Sequence, residues 1–271
     1  MVSVGQASGW FGISRQAYYQ GRKRQLCQAA EDQLLVELVQ GLRRYHPRMG
    51  GRKLHHELKG AMLALGIQRG RDRFFELLRQ RDLLVPVKCI PQRTTRSGWW
   101  RWPNLLADLV LERPYQAWVA DITYLTTQQG FVYLALITDA FSRFIVGYDL
   151  STSLAMEGCL RALNQALDRA ASHSLEGLIH HSDHGVQYTA HPYLLRLDQS
   201  GIQPSMGQIG NCYDNALAER INGILKCEYG LSDLFVNLEH AQLAVQDAVW
   251  LYNYHRPHFS LDLRKPADVH F

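Results

Sequence analysis

The order of hydrophobic and polar positions changes about one third of the way along the chain. Over residues 34–42, 54–58 and 74–78, apolar side chains recur three or four positions apart, which predicts helices, and the letters HPRMGG predict a break after the first of them. An earlier pair of short helices is predicted around Gly12, because Ser3 and Ser14 are good N-cap residues. Residues 1–85 are therefore predicted to form an all-α region of the helix-turn-helix type.

Strands dominate the pattern that follows. The runs AWVADITYLTT, FVYLALITDA and RFIVGYDLS predict three strands, and their connections are too short for anything but antiparallel hairpins. Helical patterns then lie at 154–167, at 193–197 and from Asn215 onward, with a short strand at 178–181. Residues 111–271 are predicted to form an α/β fold in which helices cover a mixed sheet.

A segment without either period separates the two regions. Residues 86–110 include the letters KCIPQRTTRSGWWRWP, where arginines alternate with Trp99, Trp100 and Trp102. We interpret this segment as a basic, aromatic linker. Such a composition is typical of a segment that lies on nucleic acid, and it equally fits tryptophans that anchor a linker to a neighbouring domain.

The net charge of +4 conceals an uneven distribution. Residues 1–104 carry 19 Lys and Arg against 7 Asp and Glu, a net of +12, whereas residues 105–271 carry 10 against 18, a net of −8. A basic first part favours a polyanionic partner, because each cation near a phosphate releases condensed counterions. The alternative is that two solvated surfaces of opposite charge attract each other.

Several classes of protein are excluded by the composition. No apolar run approaches the roughly 20 residues of a membrane-spanning helix, and the first residues do not resemble a signal peptide, so a cytoplasmic location without membrane contact is expected. The five cysteines are odd in number and contain no Cys-x-x-Cys pair, which indicates reduced, mostly structural thiols.

Arginines make the helical region a candidate for DNA binding. Arg71 and Arg73 lie on the last predicted helix, and Arg69, Arg79 and Arg81 are expected to be exposed near its ends. Arg15 follows the Ser14 cap at the start of an earlier helix. A helix in a DNA groove uses such side chains for phosphates and guanine edges, although a solvated helix would expose them too.

Three carboxylates stand out in the second region. Asp121 lies within the first predicted strand, Asp183 directly follows the short strand at 178–181, and Glu219 lies on a polar stripe of the helix that begins near Asn215. Three acids that converge through folding are suited to Mg²⁺, which prefers oxygen ligands. Each acid also has a simpler explanation, as half of an ion pair, the cap of a turn or a solvated side chain.

Four stretches of sequence identify a family resemblance. The stretches are WVADITYL, HSDHGVQY, GNCYDNALAE and YNYHRPHFSLDLRKPADV, and together they resemble the second-reading-frame (OrfB) type transposases of bacterial insertion sequences. That family belongs to the DDE integrase and transposase superfamily, with a retroviral-integrase-like catalytic core and a ribonuclease H-like fold. The 35 residues between Asp183 and Glu219 match the family's spacing, and the resemblance covers nearly the whole chain.

The resemblance implies a metal-dependent transposase. It implies that Asp121, Asp183 and Glu219 are the catalytic and metal-binding triad, that two Mg²⁺ ions bind there with Mn²⁺ as a substitute, and that Asn215 and Lys226 contact DNA. The implied partners are double-stranded DNA at the element ends and target, further copies of the same chain on DNA, and an upstream-frame helix-turn-helix protein. The implied location is the cytoplasm, in association with the bacterial nucleoid.

The sequence departs from the family pattern after Glu219, and two alternative functions remain open. Arg220 to Gly223 replace the small and aromatic residues that are more usual after the glutamate, which puts DNA affinity rather than chemistry in question. A non-catalytic DNA-binding remnant of a transposon and a ribonuclease H-like nuclease are the alternatives. His180, His181 and His184 crowd Asp183, but neighbouring strand residues face opposite sides, which disfavours a zinc site. Asp139 is expected to be structural.

Overall fold

The computed structural model describes residues 4–10, 12, 14–86, 102–107, 109–207 and 215–271. The chain divides into two compact units, Met1–Pro86 and Val87–Phe271. The predicted linker tryptophans Trp99 and Trp100 lie outside the described residues.

Helices make up the described part of the first unit. They are α1 (Val4–Trp10), α2 (Arg15–Arg43), α3 (Gly51–Ala64) and α4 (Arg71–Gln80). The side chain of Ser14 caps α2 by accepting a hydrogen bond of 3.0 Å from Ala17 N, as predicted. The prediction of a short helix after Ser14 is wrong, because α2 continues for 29 residues. No proline interrupts those residues, and most of them are good helix formers.

The core of the first unit joins three of these helices. The apolar side chains that α2, α3 and α4 bury together include Leu35, Val39, Leu54, Leu58, Phe74, Leu77 and Leu78. Arg69 ties the turn before α4 to α2, since its guanidinium lies 2.7 Å from Asp32 and 3.3 Å from Glu31. Its side chain is only 7% exposed, so the prediction of an exposed Arg69 is wrong.

A mixed sheet organises the second unit. The strands are β1 (Ala117–Thr127), β2 (Gly130–Asp139), β3 (Ile145–Ser151), β4 (Ile179–Ser182), β5 (Gln203–Met206) and β6 (Leu234–Phe235). The order is β3-β2-β1-β4-β5, with β6 beside the far end of β1. β1 to β3 are antiparallel, whereas β4 pairs parallel with β1 and β5 parallel with β4. The predicted meander and the strand at 178–181 are confirmed.

Helices cover both faces of this sheet. They are α5 (Met156–Arg169), α6 (His191–Gln199), α7 (Ala216–Glu228), α8 (Leu238–His255) and α9 (Pro266–His270). Trp118 and Ile122 of β1 point to the face covered by α5, and Leu125 points to the face covered by α7 and α8. Gly147 permits close packing of α5 on β3, because a Cβ there would lie 2.1 Å from Ala162 O. The predicted α/β fold, in which helices cover a mixed sheet of three antiparallel strands followed by shorter parallel ones, is confirmed.

The segment that enters the second unit also packs against it. Leu105, Leu106 and Leu109 contact a small buried cluster that includes Val119 of β1 and Ala218 of α7. This part of the predicted linker is therefore attached to the sheet. Of the helices that the structure describes, none combines the length and apolar character required to cross a membrane.

Candidate active site

Two aspartates meet where β1 and β4 separate. The parallel pairing of these strands ends with Ala120 opposite Ser182. Asp121 and Asp183 are the next residues along the two strands, so both directly follow the last position at which β1 pairs with β4. Carboxyl ends of neighbouring parallel strands are a common place for ligand sites in α/β folds.

The third acid of the predicted triad lies on α7, the helix that contacts β1 at Asp121. Asn222 of α7 donates a hydrogen bond of 2.6 Å from Nδ2 to Asp121 Oδ2, which attaches the helix to β1 at this residue. Glu219 lies one turn before Asn222 and therefore on the same side of α7. Its side chain is exposed.

The pKa of Asp121 reflects the charges of the other two carboxylates. Burial, then the negative charge of Asp183 and, least, that of Glu219 raise the pKa of Asp121, and the hydrogen bonds from Asn222 and from Ile122 N lower it; the net result is a pKa of about 7. Asp183 Oδ1 accepts a hydrogen bond of 2.9 Å from Gly185 N. In the described ranges, no lysine or arginine forms an ion pair with any of the three acids.

A cation would relieve this accumulation of negative charge. The donor set consists of carboxylate oxygens alone, which suits Mg²⁺ and is poorly suited to softer metals. The three acids do not form a complete set of metal ligands, however. Within the part of the chain that the structure describes, no three Asp, Glu, His or Cys side chains form a group that could hold a metal ion. The chemistry of the site fits the ion, and the triad as a ligand set stays a prediction.

Asn222 is the site residue that the sequence analysis did not single out. The only signal for it was its place on the same polar stripe of α7 as Glu219. Its contact with Asp121 joins residues 101 positions apart, and only the tertiary structure reveals it.

The two residues of α7 predicted to contact DNA lie at opposite ends of the helix. Lys226 Nζ lies 4.6 Å from the ring centroid of Tyr124 on β1, a cation-π distance. Asn215 precedes the helix, and its Oδ1 is buried without a hydrogen-bond partner among the described residues. Lys226 therefore lies on the helix that carries Glu219, and Asn215 is the N-cap residue of that helix.

The predicted DNA-binding arginines of the first unit differ in their surroundings. Arg15 and Arg73 are exposed at the starts of α2 and α4. Arg71 is 61% exposed and lies 2.9 Å from Asp72. Arg79 likewise pairs with Glu76 at 2.6 Å. These contacts leave Arg15 and Arg73 as the better candidates for phosphate contacts.

The three histidines near Asp183 have separate partners. His180 Nε2 lies 2.9 Å from Tyr193 Oη, and His181 Nδ1 lies 2.9 Å from Ser205 Oγ. His184 Nε2 lies 2.6 Å from Gly207 O. Each ring is thus engaged by a different element.

Asp139 has the structural role that was expected of it. This carboxylate is fully buried at the end of β2. It accepts hydrogen bonds from Tyr115 N at 2.7 Å, from Phe141 N at 3.1 Å, and from the N and Oγ of Ser142 at 2.8 and 2.9 Å. These hydrogen bonds connect Asp139 to the segment before β1 and to the turn after β2.

Comparisons with known proteins match most of the second unit to integrase core families and nearly the whole chain to insertion-sequence proteins. The integrase core domain family matches residues 112–212, and a second integrase core family matches residues 200–266. An uncharacterized 31 kDa protein of insertion element IS600 from Shigella sonnei is 35% identical over 263 residues, covering 95% of this chain and 94% of its own. The transposase for insertion sequence element IS629 from Shigella sonnei is 35% identical over 249 residues, covering 91% and 82%.

Among solved structures, the magnesium complex of the HTLV-2 integrase catalytic core domain is 18% identical. It covers 59% of this chain and 98% of its own, with a TM-score of 0.46.

Proposed function

The chain belongs to the insertion-sequence transposases with an integrase core domain, and from this membership we propose that Asp121, Asp183 and Glu219 perform its DNA cutting and joining. The observation that carries the proposal is the pKa of Asp121, which burial and the charges of the other two acids raise to about 7 while no basic side chain in the described ranges pairs with them. Such a group of acids is suited to a divalent cation.

The metal requirement follows from the donors. Two Mg²⁺ ions, or Mn²⁺ in their place, would supply Lewis-acid activation of the scissile phosphate and of the attacking oxygen. Asp121 and Asp183 are fixed by the sheet and provide the stationary ligands. Glu219, exposed on α7, completes the set when DNA is bound.

Asn222 positions the first of these ligands. Its amide donates to Asp121 Oδ2 and leaves the other carboxylate oxygen with only the Ile122 N–H, at 2.9 Å. This contact fixes the rotamer of Asp121 and lowers its pKa, and both effects favour the ionised ligand.

The reaction consists of two phosphoryl transfers. In the first, a water oxygen attacks a phosphorus at the element end, the bond to the 3′ oxygen breaks, and the released 3′ oxygen takes a proton. In the second, that 3′ hydroxyl attacks a phosphodiester of the target, loses its proton and forms a new P–O bond as the target's 3′ oxygen leaves. No covalent enzyme intermediate is required.

In this proposal the first unit binds DNA. Its exposed cations, among them Arg15 and Arg73, contact phosphates, while Asn215 and Lys226 contact DNA near the triad. Two element ends must be held together, so a homo-oligomer on DNA is expected. Fusion to or association with an upstream-frame helix-turn-helix protein and a location at the nucleoid are further predictions.

A strand-transfer assay tests the proposal. Asp121→Asn, Asp183→Asn and Glu219→Gln should each lower joining of a pre-cut 3′ end by at least about a thousandfold, a loss typical of removing a group essential to the transition state. DNA binding should be retained. Asp247→Asn, which neutralises an exposed acid on α8, is the matched control and should remain active.

The same assay separates the rival functions. If the protein is a remnant that only binds DNA, the unaltered chain will give no product. If it is a nuclease, the unaltered chain will cut DNA without joining it. Unchanged joining by any of the three triad variants would refute the assignment of that residue.

A further inference from the structure

An exposed aromatic pair lies at the hairpin end of β1 and β2. The ring centroids of Phe131 and Tyr124 are 5.1 Å apart in an edge-to-face arrangement with an interplanar angle of 74°. Phe131 is 56% exposed, and Tyr124 is half-buried beside it. We refer to Tyr124 and Phe131 as the hairpin platform.

Two elements, β1 and α7, each carry a residue of the proposed active site and a residue at the hairpin platform. On β1, Tyr124 follows Asp121 by three residues, or about 10 Å of extended chain. On α7, Lys226 follows Glu219 by seven residues, which is two turns and about 10 Å of helix, and its ammonium lies 4.6 Å from the Tyr124 ring centroid. Asp121 and Tyr124 are three residues apart and therefore point to opposite faces of β1, so the platform is connected to the triad through α7, by way of Lys226.

The local charge also favours nucleic acid. The 17 residues from Ile122 to Thr138, which form most of this hairpin, contain no charged side chain. This absence is notable in a region, residues 105–271, with a net charge of −8. A phosphate backbone can approach this part of the hairpin without repulsion from acids between Ile122 and Thr138, and Lys226 adds a cation next to it.

We infer that Phe131, supported by Tyr124, stacks on an unpaired DNA base next to the phosphodiester being cut or joined. The inference rests on the proposed function and adds a binding residue to it. Base stacking on an exposed aromatic ring is tolerant of sequence, and it requires that the base has left the duplex stack. The platform thus selects frayed or single-stranded DNA at the site of chemistry.

The size of the patch argues for a base rather than a protein. A stable protein–protein interface buries on the order of 1,000 Å² or more. Two rings, one of them half-buried, offer only a small part of such an area. They offer a ring face of the size that one nucleobase needs.

The test measures binding of two DNA probes in the Asp121→Asn background with Mg²⁺ present. One probe is a blunt 20-base-pair duplex, and the other carries a three-nucleotide single-stranded overhang with 2-aminopurine, a fluorescent base whose emission falls on stacking. Phe131→Ala should weaken binding of the overhang probe about fivefold or more and abolish the fluorescence change. Binding of the blunt probe should change less than about twofold.

Three further variants serve as controls. Phe131→Trp keeps a ring and should retain both the affinity and the fluorescence change, whereas Phe131→Leu keeps apolar bulk without the ring and should behave like Phe131→Ala. Trp250→Ala removes another exposed aromatic, 52% exposed on α8, and should have no effect. Thermal melts establish that each variant is folded.

Three results would overturn the inference. Equal loss for both probes would mean a general effect on DNA binding, unchanged binding would mean that the ring has no DNA role, and loss of self-association with intact DNA binding would mean a protein interface. Because binding is measured in the Asp121→Asn variant, which does not cut or join DNA, the result does not depend on whether the triad is catalytic. Full strand transfer without stacking refutes the platform alone, and stacking without strand transfer in the unaltered chain refutes the proposed function alone.

Discussion

Asp121 and Asp139 are two acids on adjacent strands that differ in how their charge is compensated. Burial raises the pKa of both. Asp139 is surrounded by donors from Tyr115, Phe141 and Ser142, so its charge is fully hydrogen-bonded within the protein. Asp121 has two donors and two neighbouring carboxylates. Hydrogen bonds alone can therefore compensate a structural acid such as Asp139, whereas Asp121, next to other acids, is suited to compensation by an external cation.

The largest effect is expected when each acid is replaced by its amide. Asp139→Asn puts an amide group against Tyr115 N and should lower the free energy of unfolding by about 3 kcal/mol, or the Tm by about 10 °C. Asp121→Asn removes charge repulsion and should not lower the Tm of the metal-free protein. Differential scanning calorimetry compares them, and equal losses would abolish the distinction between the two acids.

Removing the amide that holds Asp121 should impair chemistry without unfolding the protein. Asn222→Ala frees the Asp121 side chain and should lower strand transfer about 10- to 100-fold. The loss should be greater at pH 6.5 than at pH 8, because the pKa of Asp121 rises when this donor is removed. Single-turnover assays across pH check this, with Gln246→Ala, an exposed change on α8, as control. A pH-independent loss would contradict a role in positioning an ionised Asp121.

The structural acid has its own pH-sensitive neighbour. His270 Nδ1 lies 2.9 Å from Ser142 Oγ, and its ring stacks on Phe144. Burial, followed by the charges of Arg169 and His173, lowers the pKa of His270 to about 4. Because the folded pKa lies below the unfolded value of about 6.5, its stabilising contribution is complete above pH 6.5 and is lost as the pH falls toward 4.

A substitution isolates that contribution. His270→Phe keeps a ring on Phe144 but cannot take up a proton, so the fall in Tm between pH 6.5 and pH 4 should become shallower. His191→Phe, at an exposed position, should keep the original slope. Identical slopes for all three proteins would show that His270 does not titrate with folding.

The smallest effects are expected in the first unit. There an arginine that is exposed can be compared with one that forms an ion pair. Arg73 is exposed, whereas Arg79 is engaged by Glu76. Arg73→Ala and Arg15→Ala should each reduce the slope of log affinity for duplex DNA against log salt by about 1, and Arg79→Ala should reduce it less. Fluorescence anisotropy at several salt concentrations measures the slopes. A salt-independent affinity would argue against phosphate contacts by this unit.

The sequence predicted those elements whose periodic pattern is local. The alternating residues of β1 to β3 and the apolar stripes of α5 and α7 identify the sheet and its helices, because burial on one face imposes them. β5 was missed because it is four residues long and contains Pro204, and β6 has only two residues. The length of α2 was underestimated because a cap at Ser14 indicates where a helix begins and says nothing about its end.

The sequence singles out the three acids of the candidate site, whose role stays a prediction, and it does not reveal the contacts around them. Family resemblance identified Asp121, Asp183 and Glu219, but no local pattern indicates that Asn222 donates to Asp121 or that Lys226 lies over Tyr124. Those contacts depend on how α7 packs along β1. The ion pairs of Arg69 are equally non-local, which is why its exposure was predicted wrongly.

The most direct measurement of the central claim is to locate Mn²⁺ by anomalous scattering in crystals of the protein bound to DNA. We predict one or two Mn²⁺ peaks coordinated by carboxylate oxygens of Asp121, Asp183 and Glu219 at about 2.0–2.3 Å, with a phosphate oxygen in the same coordination shell. A DNA complex in which Mn²⁺ binds elsewhere, or in which Glu219 stays apart from the two aspartates, would contradict the account.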